Sequence, residues 1–118
     1  MKLGYLEIVT PDVEEACGTY SSAYGVVFSD PIPALGNART TSLPDGGRLG
    51  IRPPMRDTET PVVRPYVAVT EIASVVEAVK AAGGEIALPP TPLPGQGMCA
   101  IYIQGGIEHG IWQEESPS

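Results

Sequence analysis

Two short stretches, YLEIVT at residues 5–10 and YVAVT at residues 66–70, decide how this 118-residue chain folds. Both are rich in β-branched and apolar residues, which is typical of strands, and each runs directly into a helical pattern. Because the second stretch echoes the first about half a chain later, we predict an internal repeat. Two copies of one supersecondary unit would then pack about a pseudo-twofold axis.

The first copy places one helix between strands. Thr10, Pro11 and Asp12 are typical helix-start residues, and Gly25 is a typical C-terminal stop. A turn rich in proline and glycine at residues 44–47 predicts a hairpin. The predicted elements are a strand at residues 5–10, a helix at 11–24, an extended segment at 26–28, and strands at 38–43 and 48–52.

The second copy repeats this order. Its predicted elements are a strand at residues 64–70, a helix at 71–82, a short strand at 85–88, a proline-rich loop at 89–97, and strands at 98–104 and 107–114. Both halves therefore have the order βαβββ, which predicts an α+β fold. We expect a single domain over residues 1–118. It would consist of a first module at about 1–55, a linker at about 53–61 and a second module at about 62–115.

The composition excludes some classes of partner. Hydrophobic residues make up 42% of the chain and charged residues 18%, and the net charge is −7. Nucleic acid and anionic membranes repel such a chain, so neither is expected as a partner. No stretch approaches the roughly 18 apolar residues of a membrane span, and residues 1–5 show no secretory signal pattern. We therefore expect a cytoplasmic protein whose two cysteines are reduced thiols.

Strand alternation divides the side chains between two faces of the sheet. The apolar set, which includes Ile101, Ile103 and Ile111, is expected to face the helices, and His109 falls on the same side. The opposite, polar and aromatic set is expected to face a concave side. It consists of Tyr5, Glu7, Arg48, Arg52, Arg64, Tyr66, Tyr102, Glu108 and Trp112.

This polar and aromatic set has the chemistry of a small-molecule pocket, because aromatic rings cover apolar ligand surfaces and a few charged groups orient the ligand. Arginine forks suit a carboxylate or phosphate, which favours an anionic ligand. Glu7 and Tyr5 are the candidate catalytic residues, through proton transfer. The alternative is a solvated face whose Arg and Glu side chains pair across strands. The predicted ligand-binding residues are Arg64, Tyr66, Tyr102, Glu108, Trp112, Arg48 and Arg52.

Several motifs resemble the vicinal oxygen chelate superfamily, which includes glyoxalase, bleomycin-resistance and extradiol dioxygenase proteins. The resemblance covers nearly the whole chain and is strongest in the second half. The residues that carry it are Thr10-Pro11-Asp12, Pro65-Tyr66-Val67-Ala68-Val69, Ala82-Gly83-Gly84, Leu88-Pro89-Pro90, Leu93-Pro94-Gly95-Gln96-Gly97 and Gly110-Ile111-Trp112.

The resemblance implies paired βαβββ modules that form a curved mixed sheet around a cavity, with helices on the outer face, and in many relatives a homodimer. Metal-using relatives supply His, Glu or Gln ligands from four sheet positions. In this chain these positions fall at about Tyr5, Gly50, Arg64 and Gly110, none of which is a usual metal ligand. No metal ligand and no cofactor are therefore expected at the usual site.

Four hypotheses follow for the function. The first is a small-molecule-binding protein of this superfamily that lacks the usual metal site. The second is a metal-dependent lyase, isomerase or dioxygenase whose divalent ion is held by a non-standard set, such as Glu7, Glu108 and His109. The third is a metal-free enzyme that uses Glu7 or Tyr5 for proton transfer. The fourth is an interaction subunit with no ligand, which a collapsed concavity would favour.

Overall fold

Seven strands and two α-helices form the regular structure of the residues that the computed structural model describes, 1–44 and 46–115. Asp45, in the predicted hairpin turn, lies outside them. None of the described helices is both long and apolar enough to cross a membrane. In chain order the elements are β1 (Leu3–Val9), α1 (Val13–Tyr24), β2 (Arg39–Ser42), β3 (Arg48–Arg52), β4 (Val62–Ala68), α2 (Ile72–Ala81), β5 (Glu85–Leu93), β6 (Gly97–Gln104) and β7 (Ile107–Glu114).

These elements divide into two compact units. The first unit consists of residues 6–63, and its strand order is β2-β3-β1, with β2 antiparallel to β3. The second unit consists of residues 1–5 and the chain from Arg64 onward, and its strand order is β1-β4-β7-β6-β5. Its β4–β7 pair is parallel, whereas β7–β6 and β6–β5 are antiparallel. The predicted α+β class with a mixed sheet is thus confirmed.

Helix α1 packs on the strands of the first unit. It begins at Val13, two residues later than predicted, because the Thr10 hydroxyl accepts the N–H of Asp12 at 3.1 Å ahead of the first turn. It ends at Gly25, whose φ of 69° is the left-handed conformation expected for a helix stop. The buried core beneath it contains Cys17, Phe28, Leu49 and Ile51, with Leu6 and Ile8 packed against them. Strand alternation predicts this helix-facing position for Leu6 and Ile8 in β1 and for Leu49 and Ile51 in β3, and the structure confirms it.

The extended segment predicted at residues 26–28 forms no strand. Past Phe28, the Ser29 N–H donates to the Thr40 carbonyl of β2 at 2.8 Å, and the Ser29 hydroxyl accepts the Thr40 N–H at 3.0 Å in place of a backbone carbonyl. Ile32 then forms an isolated bridge with Ala38. Pro31 and Pro33 flank this bridge and have no N–H to donate, so it does not extend into a ladder. The described part of the first unit therefore has one strand fewer than predicted.

Strand β5 is longer than predicted, because it continues through the segment expected to be a loop. It spans Glu85–Leu93 and includes Pro89, Pro90 and Pro92. β5 is the last strand in the order, so one side of it has no hydrogen-bonded neighbour, and proline is tolerated at such an edge. Its register with β6 shifts between Ile86 and Leu88 and again between Leu88 and Thr91. β5 therefore accommodates its prolines through irregular pairing with β6, and the strand does not end at them.

Candidate functional site

A buried ion-pair network lies in the first unit, centred on Arg52 at the end of β3. The Arg52 Nε donates to Glu7 Oε2 at 2.7 Å, across to β1. Its Nη1 and Nη2 donate to Glu59 Oε1 and Oε2 at 2.9 and 2.7 Å, which is a two-point contact. The exposed fractions of these side chains are 4% for Arg52, 10% for Glu7 and 15% for Glu59. One cation is thus shared by two carboxylates in a nearly dry environment.

The electrostatics of this network keep Arg52 charged. Burial alone lowers the pKa of Arg52, since it disfavours the cation. The hydrogen bonds to the carboxylates of Glu59 and Glu7 outweigh that effect, and the pKa of Arg52 is raised above its ordinary value. The predicted candidate base Glu7 is therefore engaged in an ion pair with a permanent cation.

Glu59 is a member of this network that sequence reasoning missed. It lies in the irregular segment at residues 53–61, which was interpreted as a polar linker. Its Oε1 also accepts the Met55 N–H at 2.7 Å, so the carboxylate holds its own loop together. The only available signal was an acidic residue in a proline-bearing segment that follows an arginine at the end of a strand. No local pattern indicates that such a residue reaches back to that arginine.

Three aromatic residues form a packed cluster in the second unit. Tyr5 stacks on Trp112 with ring centroids 4.8 Å apart, and Tyr66 meets both rings edge-on at 5.9 Å. Their exposed fractions are 3%, 1% and 5% for Tyr5, Trp112 and Tyr66. The structure thus brings these three predicted site residues together. They are buried against one another, and their rings do not line an open surface.

Two glycines let this aromatic cluster close. A Cβ at Gly110 would lie 2.4 Å from Tyr66 Cδ2 and 2.8 Å from the Pro65 carbonyl oxygen. A Cβ at Gly4 would lie 2.8 Å from Trp112 Cδ1. All three distances are below 3.0 Å, a separation that real Cβ atoms essentially never show. The ring of Tyr66 therefore occupies the space that a side chain at position 110 would need.

Arg64 and Glu108 form the second charged pair, on β4 and β7. The Arg64 Nη2 donates to Glu108 Oε1 at 2.6 Å. Here burial is unequal, because the Arg64 side chain is 9% exposed and the Glu108 side chain 47% exposed. A buried guanidinium therefore meets a carboxylate that remains half in solvent.

The predicted orientation of Tyr102 is wrong. Met98, Ala100 and Tyr102 pack toward α2 with Ile72, Val76 and Ile111. Because β6 is apolar on both faces, its sequence could not show which face packs against α2. The face that packs against α2 is the one that carries the small residue Ala100. Residues paired in register across β6 and β7 share a face. Ile101 and Ile103, which pair with Gly110 and Glu108, therefore lie on the Glu108 side.

His109 and Arg48 lie apart from these clusters. His109 stacks on Tyr102 at 4.8 Å, on the α2 side of β7 as predicted, and its Nε2 lies 3.2 Å from the Gln104 carbonyl oxygen. Arg48 pairs in register with Ser42 at the start of β3. It is four residues before Arg52, or about 13 Å along a strand.

The residues present do not fit a divalent metal in the superfamily's manner. At the four implied positions, Tyr5 is stacked, Gly50 and Gly110 have no donor side chain, and Arg64 is a cation. The non-standard set also fails, because Glu108 and His109 are neighbours on a strand and point to opposite faces. Within residues 1–44 and 46–115, no three His, Cys, Asp or Glu side chains are grouped to hold a metal ion.

The chain matches no model of a known protein family. It is 26% identical over 115 residues to the candidate glyoxylase CFP32 of Mycobacterium bovis, and equally to that of Mycobacterium tuberculosis. The match covers 92% of this chain and 44% of each relative. The chain thus spans less than half the length of the curated relatives that it matches.

Solved structures share the fold at low sequence identity. The hypothetical protein BH1468 from Bacillus halodurans has a TM-score of 0.80 at 12% identity, covering 99% of this chain and 96% of that one. Methylmalonyl-CoA epimerase from Mycobacterium tuberculosis has a TM-score of 0.77 at 11% identity, covering 97% and 88%.

A Streptomyces coelicolor methylmalonyl-CoA epimerase variant, solved in complex with 2-nitronate-propionyl-CoA, has a TM-score of 0.75 at 12% identity, covering 98% of this chain and 99% of that one. The chain therefore shares its fold with proteins whose sequences have diverged widely. This shared fold and the glyoxylase likeness, at 26% identity over 92% of the chain, support the resemblance to the vicinal oxygen chelate superfamily that the motifs carry.

Proposed function

We propose that this chain is a metal-independent small-molecule-binding member of the superfamily, and that Arg64 holds the anionic group of an organic ligand. The observation that carries this proposal is the unequal burial of the Arg64–Glu108 pair, with side-chain exposures of 9% and 47%. A ligand carboxylate or phosphate can take the place of Glu108, because Glu108 can return to water at little cost. The Arg64 side chain is 9% exposed and cannot return to water in this way, so its guanidinium group stays in position.

The surroundings of Arg64 suit a ligand with a short apolar body. Ile101 and Ile103 are half-buried and lie on the same face of the sheet as Glu108. The packed rings of Tyr66 and Trp112 project from this same face, because Trp112 lies two residues past Gly110 on β7 and the Tyr66 ring fills the space above Gly110. Apolar walls with one convergent charged group are the usual composition of a small-molecule site. The acyl-CoA analogue bound by the Streptomyces coelicolor neighbour supports an organic ligand of this kind.

Metal independence is supported by the donor set and by the packing. The position of Gly110 can hold no ligating side chain while Tyr66 fills the space, and Arg64 at another implied position would repel a cation. The resemblance alone would instead favour a metal-dependent lyase, isomerase or dioxygenase. That alternative requires a ligand set that the described residues do not assemble.

The proposal is tested by isothermal titration with propionate and with propionyl-CoA, each with and without EDTA. We expect saturable binding that EDTA does not change and that Arg64→Ala weakens at least about tenfold, the effect of losing a charged hydrogen bond. Arg39→Ala is the matched control, because Arg39 also contacts an exposed glutamate, Glu14, at 2.6 Å. Light scattering on the same sample tests the homodimer that the resemblance implies.

Two outcomes would overturn this function. Binding that survives Arg64→Ala unchanged would remove Arg64 from the site. One tightly bound divalent ion per chain, measured by elemental mass spectrometry after incubation with Zn²⁺, Ni²⁺, Fe²⁺ or Mn²⁺, would restore the metal-dependent alternative.

A further inference from the structure

The carboxylate of Glu108 lies beside the group that would bind a ligand anion. Its Oε1 accepts the Arg64 Nη2 at 2.6 Å, and among the described residues no other donor meets this side chain. The second oxygen, Oε2, therefore accepts no hydrogen bond from that part of the chain, and the side chain is 47% exposed. Glu108 thus offers a charged, solvent-accessible acceptor next to Arg64.

The sheet keeps this carboxylate near Arg64 even after a ligand anion binds there. β4 and β7 are parallel neighbours in which Tyr66 pairs with Gly110, and Arg64 and Glu108 lie two residues earlier on the same face. The backbones of adjacent strands are about 4.8 Å apart. When a ligand displaces Glu108 from the guanidinium, Glu108 is hydrated but stays within a few ångströms of that ligand.

This placement discriminates between ligands by their charge. The Arg64–Glu108 pair is neutral, so a simple carboxylic acid on Arg64 would leave its anion beside the Glu108 carboxylate, and this contact between like charges lowers affinity. The whole chain has a net charge of −7, which does not offset the repulsion. A ligand with both a carboxylate and a cationic nitrogen instead replaces one ion pair by two.

We propose that the site at Arg64 takes a small zwitterion, whose carboxylate binds Arg64 and whose neighbouring ammonium group binds Glu108. This inference rests on the function proposed above and names the chemical class of its ligand, a small amino acid. Ile101 and Ile103 are half-buried on the same face as Glu108, so they contact the short alkyl part of the ligand.

The test is isothermal titration with propionate, lactate and alanine, which share one carbon skeleton. Alanine adds an ammonium group to the carbon next to the carboxylate, and lactate adds an uncharged hydroxyl group there. We expect alanine to bind more tightly than the other two. Glu108→Gln keeps the size of the side chain and removes its charge, so it should tighten propionate binding and weaken alanine binding. The ratio of the two dissociation constants should then change at least about fourfold.

Glu85→Gln is the matched control. Glu85 is an exposed carboxylate that pairs with Ile103, which in turn pairs with Glu108, so it lies on the same face but two strands away. This separation is about 10 Å across the sheet, which is beyond the reach of alanine. The control should leave the ratio of the two dissociation constants unchanged.

The outcomes separate this inference from the function on which it rests. If Arg64→Ala weakens both ligands while Glu108→Gln changes propionate and alanine binding equally, the zwitterion is wrong and the anion site stands. Lactate that binds as tightly as alanine would also overturn the zwitterion, because its hydroxyl group carries no charge, and this comparison needs only the unmodified chain. If none of the three acids shows saturable binding, both proposals are wrong.

Discussion

Arg52 and Arg64 are both buried arginines that donate to glutamates, yet the two units use them differently. Arg52 is shared between two carboxylates that are 10% and 15% exposed, whereas Arg64 donates to Glu108, whose side chain is 47% exposed. Both carboxylate partners of Arg52 are nearly buried within the fold, whereas Glu108, the partner of Arg64, can be hydrated by solvent. The comparison shows that two arginines of similar burial can face carboxylates of very different exposure, so an arginine's own burial does not indicate how readily its partner can return to water.

The largest expected effect is on stability, from the Arg52 network. We expect Arg52→Met to lower the free energy of unfolding by about 3–5 kcal/mol, because two nearly buried carboxylates lose their shared cation. The measurement is urea unfolding followed by the fluorescence of Trp112, the single tryptophan. Arg39→Met is the control, with an expected loss of at most about 1 kcal/mol. A loss for Arg52→Met no larger than that of the control would show that the network is not a stabilising unit.

The next effect concerns the closed aromatic cluster of the second unit. Gly110→Ala should destabilise the protein by about 1–3 kcal/mol, since the new methyl group must displace Tyr66 or the backbone of Pro65. Gly18→Ala is the matched control: Gly18 lies within α1 and has no atom within 4 Å of its added Cβ, so stability should rise by about 0.5–1 kcal/mol. Thermal unfolding measures both. Equal stability of the two variants would mean that the cluster has room at position 110.

A smaller effect is expected at Arg64. Arg64→Met should lower the free energy of unfolding by less than Arg52→Met, because Glu108 is half exposed and regains its hydration when the arginine is removed, whereas Glu7 and Glu59 are nearly buried. Urea unfolding under the conditions used for Arg52→Met makes the two values directly comparable. If Arg64→Met and Arg52→Met lowered the free energy of unfolding equally, the exposure of the partner carboxylate would have no effect on stability. The comparison between the two arginines would then be wrong.

The smallest effect is a change in affinity. If a ligand anion competes with Glu108 for Arg64, Glu108→Gln should tighten propionate binding about twofold to threefold, the equivalent of a weak exposed ion pair. Titration calorimetry measures it against the unmodified chain. A weakening similar to that of Arg64→Ala would instead make Glu108 part of the binding surface and not the competitor.

Local sequence patterns predicted the elements well where their signals are short in range. The helix stop at Gly25 and the strand β3 at Arg48–Arg52 are as predicted. A glycine in the left-handed region and an alternating strand depend on neighbouring residues only. The pairing of Arg64 with Glu108 and of Arg52 with Glu7 was foreseen only as a general alternative, Arg and Glu pairing across strands. Which partners would meet depends on the register between strands that are distant in the chain.

The sequence by itself determined the repeated strand–helix pattern, the motifs that carry the superfamily resemblance, and the lack of metal-ligand residue types at the four implied positions, because these depend on residue type and order. Only the tertiary structure decided which residues share a site. It turned Tyr102 toward α2, placed Ile101 and Ile103 beside Glu108, and brought Glu59 from the irregular segment at residues 53–61 onto Arg52. The physical reason is that β6 is apolar on both faces, and that residues 53–61 show no periodic pattern of apolar residues. In such segments packing and ion pairing across the fold select among orientations that local propensity leaves equal.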